Sequence, residues 1–238
     1  KLPERYQSED RPILKFCLDV IDATKDIASC YKPQFAHFAA ADALKDLKEV
    51  MLALKSEGLP VILDAKRGDV GSTSQYYASE AFDVYDAGAV TVNPYLGGDS
   101  LAPFLDRPDR GIILLCRTSN PGGADIQNVE LASGGELFEH VARMASGSWN
   151  TNNNIGLVVG ATRPEELARV RQIVGSMYLL LPGIGAQGGD VAASLAAGAD
   201  GGLIVSSSRA VLYPPAGTID AVRQSAVDTR DLINEHRR

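Results

Sequence analysis

The stretch Val61-Ile62-Leu63-Asp64-Ala65-Lys66-Arg67-Gly68-Asp69-Val70-Gly71-Ser72-Thr73 turns an apolar run into charge, and then into glycine and hydroxyl. Its apolar opening is bounded by Gly58 and Pro60 before it and Gly68 after it, and reads as a buried strand. Side chains alternate along a strand, so Asp64 and Lys66 share one face while Leu63 and Ala65 take the other. A carboxylate and an ammonium at the end of such a strand are costly to desolvate, and each needs a partner or a function. Asp69 follows in the turn and can approach the same space or that of a neighbouring subunit. Alone, an Asp-x-Lys pair reads as a structural ion pair. The Gly-Asp-x-Gly-Ser-Thr that follows sets glycines, a second carboxylate and two hydroxyls where a helix should begin, ahead of a helical stretch at residues 75–87. Asp-x-Lys-x-x-Asp in that setting points to a charged catalytic array.

The same unit of strand, loop and helix recurs along the chain. Strands are expected at residues 29–35, 61–66, 89–94, 111–117, 155–160, 177–181 and 201–206. Most are β-rich apolar runs without strict alternation, the pattern of strands covered on both faces of a parallel sheet. Helices are expected at 42–56, closed by Gly58; at 73–87, closed by Gly88; from the capping-box spacing Thr162-Arg163-Pro164-Glu165 to Val174; and at 190–197, ended by Gly198. No linker or low-complexity block interrupts them. Residues 1–238 are therefore expected to form one domain of α/β class, a (β/α)8 TIM barrel. Ile13, Cys17, Val20, Ile21, Thr24, Ile27 and Ala28 recur at helical spacing. Residues 12–28 thus read as the helix after a first strand, which is expected before Lys1; the alternative is a strand at 13–18.

A chain of 238 residues with 45% hydrophobic content suits one barrel with a full core. No apolar stretch reaches the ~18 residues of a membrane span, and the opening Lys1-Leu2-Pro3-Glu4-Arg5 carries no apolar signal segment. Cys17, Cys30 and Cys116 are dispersed, with neither metal spacing nor a disulfide framework, so a reducing cytoplasm is the expected location. His37, His140 and His236 are scattered too, and no metal site is expected. A net charge of −7 disfavours nucleic acid as a partner. It leaves room for a small anion, which local Arg, Lys and helix N-termini can bind.

In this architecture function gathers at the C-terminal strand ends. Lys32 comes from the second strand, and Asp64, Lys66 and then Asp69 from the third. Asn93-Pro94-Tyr95-Leu96-Gly97-Gly98-Asp99 ends the fourth and Arg117-Thr118-Ser119-Asn120-Pro121-Gly122 the fifth. The seventh leads into Pro182-Gly183-Ile184-Gly185-Ala186-Gln187-Gly188-Gly189-Asp190, and the eighth into Ser206-Ser207-Ser208-Arg209. A glycine-rich loop presents its amides unobstructed, and the last two strand ends of such barrels often bind phosphate. Gln187 adds an amide donor there and Arg209 a bidentate cation. The alternative is a loop without a ligand and an ordinary helix-start arginine. By register Lys32 stands beside Asp64 and Lys66, so Lys32, Asp64, Lys66 and Asp69 would neutralise one another and hold a fixed, preorganised field.

These residues resemble the orotidine 5′-phosphate decarboxylase family. The matching motifs are Asp64-Ala65-Lys66-Arg67-Gly68-Asp69-Val70-Gly71-Ser72-Thr73, Asn93-Pro94-Tyr95, Ser119-Asn120-Pro121-Gly122, Pro182 through Asp190, and Ser208-Arg209. Their form is similar to the second, bacterial type of the family, the subgroup common in actinobacteria and some other bacteria. The resemblance implies a cofactor-free enzyme that makes UMP and CO2 from orotidine 5′-monophosphate. It implies that Lys66 protonates C6 of the pyrimidine, that Asp64 lies against the substrate carboxylate, and that Lys32 and Asp69 hold the array. It further implies a homodimer in which Asp69 and Thr73 reach the partner's site. Ser119 would read the pyrimidine edge, Gln187, Ser208 and Arg209 the phosphate end, and Pro182 would begin a loop that closes over the ligand. The family's first strand ordinarily ends in a ribose-binding Asp; Asp19 and Asp22 fall in expected helix, and neither is assigned.

The residue types suit that chemistry. Loss of CO2 leaves a carbanion at C6 without a conventional electron sink, so the protein must stabilise the anion electrostatically and supply a proton. Phosphate binding remote from C6 can drive closure and be realised in the transition state. Two other functions fit parts of the pattern. One is a magnesium-dependent decarboxylase or aldolase acting on a sugar phosphate, for which Asp-x-Lys-x-x-Asp also serves. The other is a non-catalytic nucleotide-binding protein, which has no need of a proton donor in its site.

Overall fold

The computed structural model describes residues 2–183 and 191–236. Along them run α1 (Pro12–Thr24), α2 (Phe35–Ala40), α3 (Leu44–Ser56), β1 (Ile62–Arg67), α4 (Gly71–Ser79), β2 (Ala89–Val92), α5 (Gly98–Leu105), β3 (Gly111–Arg117), α6 (Ala124–Gln127), α7 (Leu137–Ser146), β4 (Ile155–Val159), α8 (Pro164–Val174), β5 (Leu179–Pro182), α9 (Val191–Ala197), β6 (Leu203–Ser206), α10 (Arg209–Leu212) and α11 (Ile219–Glu235). All strand pairs are parallel, in the order β1-β2-β3-β4-β5-β6. Each parallel step needs a crossover, and helices supply it. The sheet curls as a half-barrel.

Two apolar layers hold this sheet. On its outer side Leu63, Val90, Leu114, Leu157 and Leu179 meet helix residues such as Leu47, Leu54, Phe104, Phe138 and Leu167 in the main core. On its other face Ile62, Ile113, Val158 and Leu180 form a second cluster, with Cys30, Ala89, Leu115 and Ile204 against it. Asp64 is the next residue on β1 to share the face of Ile62. The charged array therefore stands one step beyond an apolar floor. A third cluster, Tyr6, Phe16, Val20 and Val222, fastens α1 to α11. No helix among the described residues is long and apolar enough to cross a membrane.

Several expectations need correction. Residues 29–35 form no continuous strand: only Tyr31 and Gln34 bridge to Val61 and Asp64, in parallel. Pro33 brings no amide to that ladder, and Phe35 already opens α2. In place of the expected eight strands, the described residues form six strands plus this bridged segment. The helical reading of residues 12–28 holds over Pro12–Thr24, and the alternative strand at 13–18 does not form. Asp19 lies within α1 and pairs with Lys15 and Tyr6, away from the strand ends. The helix expected at 42–56 starts at Leu44, after Asp42 in the left-handed region (φ +52°). The one expected at 73–87 begins at Gly71, passes at Glu80–Val84 into a single π turn, and is followed by Asp86 in the left-handed region (φ +47°), ahead of Gly88. At α8 Arg163 is the N-cap without a side-chain cap, so the Thr162 box does not form, although Pro164 does take the first turn.

Candidate active site

Asp64 is the centre of the charged array. Its side chain is buried, at 6% exposure for the residue. Lys32 Nζ donates to Oδ2 at 2.7 Å and Lys66 Nζ to Oδ1 at 2.5 Å. Two neutral groups complete the shell: Gln34 Nε2 donates to Oδ2 at 3.2 Å and Thr91 Oγ1 to Oδ1 at 2.9 Å. Burial pushes the Asp64 carboxyl upward, but the Lys32 and Lys66 ammoniums more than reverse this and hold it below its ordinary value. Lys66 is the exposed member of the trio, with 46% of its side chain accessible against 19% for Lys32.

The array is set by an irregularity in β1. Leu63 pairs with Val90 and Arg67 with Val92, so three residues of β1 face the single Thr91 of β2. Bulges of this kind re-aim side chains beside functional sites. Lys66 takes up the kink with φ +47°, a conformation uncommon for any residue but glycine. The amides of Ala65 and Lys66, displaced from the ladder, both donate to Thr91 Oγ1, at 3.0 and 2.9 Å.

Arg67 fastens the next turn. Its guanidinium lies over the rings of Phe35 (4.2 Å) and Tyr77 (4.8 Å) and donates to both oxygens of Glu80, at 2.8 and 3.0 Å. Gly71 then turns the chain into α4 with φ +53°, which a side chain would oppose. Within one chain Asp69 and Thr73 stay out of the array. Asp69 Oδ1 accepts from the Val70 amide at 2.8 Å, and Thr73 is exposed in the first turn of α4.

The loop carrying Ser119 rests on a buried ion pair. Arg117, at the end of β3, places Nε 2.8 Å from Glu166 Oε2 of α8. Nε–H is not aimed along that contact, and the directional bond runs from Nη2 to Oε1 at 3.3 Å. Arg117 Nη1 also donates to the Thr118 carbonyl at 2.7 Å, and Gln127 Oε1 accepts from the Thr118 amide at 2.9 Å. Ser119 itself crosses the end of β4 so closely that a Cβ on Gly160 would lie 3.0 Å from its backbone nitrogen and Cα. Any side chain there would require the Ser119 backbone to give way by a few tenths of an ångström.

The residues expected at the phosphate end fall on neighbouring strand ends. Pro182 ends β5 and pairs in register with Ser206 of β6. Ser208 is the N-cap of α10, and Arg209 is its exposed first residue. Gln187 lies outside the described residues. None of the three thiols is suited to nucleophilic work: burial pushes Cys17 and Cys116 up to about 12 and raises Cys30 as well.

The structure thus brings Lys32, Asp64 and Lys66 together, and sets Pro182, Ser208 and Arg209 at or just past two adjacent strand ends. It adds Gln34, Thr91, Arg117 and Gly160, which the sequence reading left unassigned. Arg117 had a signal, a charge closing the run Ile112-Ile113-Leu114-Leu115-Cys116. Thr91 had none, because Val90-Thr91-Val92 reads as three ordinary strand formers.

Among known proteins, the model of the "Orotidine 5′-phosphate decarboxylase / HUMPS family" matches residues 9–218. The orotidine 5′-phosphate decarboxylase of Dechloromonas aromatica is 53% identical over 246 residues, covering 100% of this chain and 90% of that protein. That of Aromatoleum aromaticum is 51% identical over 245 residues, with the same coverage, 100% and 90%. The solved structure of Leishmania donovani OMP decarboxylase superimposes with a TM-score of 0.86 at 39% identity, over 94% of this chain and 87% of that one.

Proposed function

The chain belongs to the orotidine 5′-phosphate decarboxylase / HUMPS family, and its activity is that of an orotidine 5′-phosphate decarboxylase, a carboxy-lyase of pyrimidine biosynthesis; from that premise we propose how its residues divide the work. The C6–carboxylate bond of orotidine 5′-monophosphate breaks, its electron pair stays on C6, and CO2 departs. Lys66 Nζ then delivers a proton to C6, giving UMP. Asp64 lies against the departing carboxylate, and Lys32 keeps Asp64 ionised and in place. The observation that carries this reading is the buried Asp64 gripped by two lysines, one of them accessible. A fixed field of that kind is already organised when charge develops at C6, so little reorganisation accompanies the reaction.

The partner subunit's Asp69 and Thr73 complete the site in a homodimer. Ser119 reads the pyrimidine edge. Gln187, Ser208 and Arg209 hold the phosphate, and Pro182 begins the segment that closes on it. Residues 1–238 act as one (β/α)8 domain, in which the six strands and the bridged segment at 31–34 occupy seven of eight positions. The enzyme works in the cytoplasm, without a cofactor.

The test is decarboxylation of orotidine 5′-monophosphate, followed by ultraviolet absorbance in EDTA, for the wild type and Lys66→Ala. Wild-type turnover that disappears in Lys66→Ala, with the fold intact by circular dichroism, is the expected result. Near-normal kcat in Lys66→Ala removes Lys66 as the acid. The matching family's description also covers HUMPS proteins, so an inactive wild type moves the reading to magnesium-dependent chemistry on a keto-sugar phosphate. Tight UMP binding without turnover of either substrate would instead indicate a nucleotide-binding protein.

A further inference from the structure

We propose that Thr91 is the positioning residue of the reacting pair, setting the Lys66 backbone and the Asp64 carboxylate with one hydroxyl. This rests on the decarboxylase reading above. Thr91 is 1% exposed, and its Oγ1 makes three hydrogen bonds: from the Ala65 amide at 3.0 Å, from the Lys66 amide at 2.9 Å, and to Asp64 Oδ1 at 2.9 Å.

Valence fixes the arrangement. A hydroxyl has one proton and two lone pairs. Both lone pairs are taken by amides that can only donate, so the proton has only the carboxylate left to meet. The rotor has no alternative orientation, and every capacity of the group is used. The consequence runs in both directions along β1. On one side the hydroxyl substitutes for the ladder carbonyl that the bulge has displaced, and so makes the left-handed turn at Lys66 (φ +47°) tolerable. On the other it holds Oδ1, the same oxygen that Lys66 Nζ reaches. Donor and acceptor of the reacting pair are therefore referenced to a single atom on the neighbouring strand. Gln34 and Lys32 fix only the second oxygen, Oδ2.

A residue with that role should govern the chemical step more than ligand binding, because the pyrimidine and phosphate contacts lie on other strand ends. Thr91→Val keeps the shape and removes the hydroxyl. Its expected effect is a fall in kcat of about 100-fold, the scale of an ångström-sized misplacement, while the Kd of UMP by calorimetry changes by less than about threefold. Thr91→Ser restores the hydroxyl and should keep kcat within about fivefold of wild type. Should Thr91→Val not fold, Thr91→Ala carries the same comparison against Thr91→Ser, since its smaller side chain admits water to the two freed amides.

The proposal is overturned if the hydroxyl-free variant turns over within about threefold of wild type, if Thr91→Ser is as impaired as it, or if UMP affinity falls in parallel with kcat. A wild type that does not decarboxylate orotidine 5′-monophosphate overturns the decarboxylase reading and takes this proposal with it. An active wild type beside an undisturbed Thr91→Val overturns this proposal alone.

Discussion

Removing both members of the Arg117–Glu166 pair should cost less stability than the two single removals added together. Arg117 is 3% exposed and Glu166 6%, so neither charge can turn to water when its partner leaves. In Arg117→Met the stem volume is kept and the guanidinium is lost. Glu166 then retains Arg163 at 3.3 Å, whose side chain is half exposed, and Asn128 at 3.4 Å. Breaking a buried pair from one side costs roughly 3–5 kcal/mol, and the residual Arg163 contact argues for the lower figure. The Thr118 carbonyl also loses its 2.7 Å donor, which adds about 1 kcal/mol. The expected cost is thus about 4 kcal/mol, or a fall in Tm on the order of 8–16 °C for a domain of this size. Glu166→Leu strands the guanidinium and should cost a similar amount. The double variant Arg117→Met/Glu166→Leu leaves no uncompensated charge, and should be less destabilised than the summed singles by about 2–3 kcal/mol. Urea unfolding followed by far-ultraviolet circular dichroism measures all four proteins. Effects that add within about 0.5 kcal/mol, or singles that cost less than about 1 kcal/mol, would refute the assignment of the pair as a buried electrostatic support for the Ser119 loop.

Three further outcomes are expected. Arg209→Ala should weaken UMP binding by about tenfold or more, the range of a lost charge-assisted hydrogen bond, and leave uridine unaffected; equal losses for both ligands in calorimetry would remove Arg209 from the phosphate. Lys66→Ala and Asp69→Ala chains, each inactive alone, should regain about a quarter of wild-type activity after random re-pairing of a two-fold dimer; confirmed mixed dimers without activity would sink the shared site. The Asp64 carboxyl is held below its ordinary value by Lys32 and Lys66 acting against burial. Its stabilising contribution is therefore complete above the unfolded-state pKa of about 3.9 and is lost as pH falls through the folded value. The stability gap between wild type and Asp64→Asn in urea should accordingly be widest near neutral pH and narrow below about pH 4. A gap that does not change with pH would contradict the electrostatic account.

The charged array was legible because charge in an apolar run stands out. Asp64 and Lys66 interrupt a valine, isoleucine and leucine run, and desolvation alone demands an explanation for them. The strand order was legible for a similar reason, since glycine or proline punctuates each apolar run. What the alternation rule concealed was the bulge. Reading Asp64 and Lys66 as a regular same-face pair placed them together correctly, yet the actual meeting depends on the left-handed Lys66 and on Thr91 from another strand. That is tertiary information, and a threonine between two valines does not betray it. Similarly, residues 29–35 have strand composition, but Pro33 cannot donate and Phe35 is claimed by α2, so only two bridges survive. At 162–165 the capping spacing was present and the cap was not. Glu139 instead accepts from the amide of Glu136 at 2.9 Å ahead of α7, with glutamate in a place where serine or threonine is the usual sign. Gln187 remains an assignment from sequence alone.

The π turn at Glu80–Val84 holds one residue more than the α turn it replaces. Ala81 and Phe82 are buried there, while Asp83 and Val84 face water. Deleting Asp83 or Val84 would let the segment close as an ordinary α turn, with the Tyr85 amide still donating to the Glu80 carbonyl. The Glu80 carboxylate would then keep Arg67, and Phe82 its edge-on contact with Phe104. Deletion of Ala81 or Phe82 would instead shift the buried face of the turn out of its place. Single-codon deletions at Val84, which has no side-chain partner to lose, should therefore yield folded protein more readily than those at Asp83, which accepts from Arg107 at 2.8 and 3.0 Å, and far more readily than those at Ala81 or Phe82.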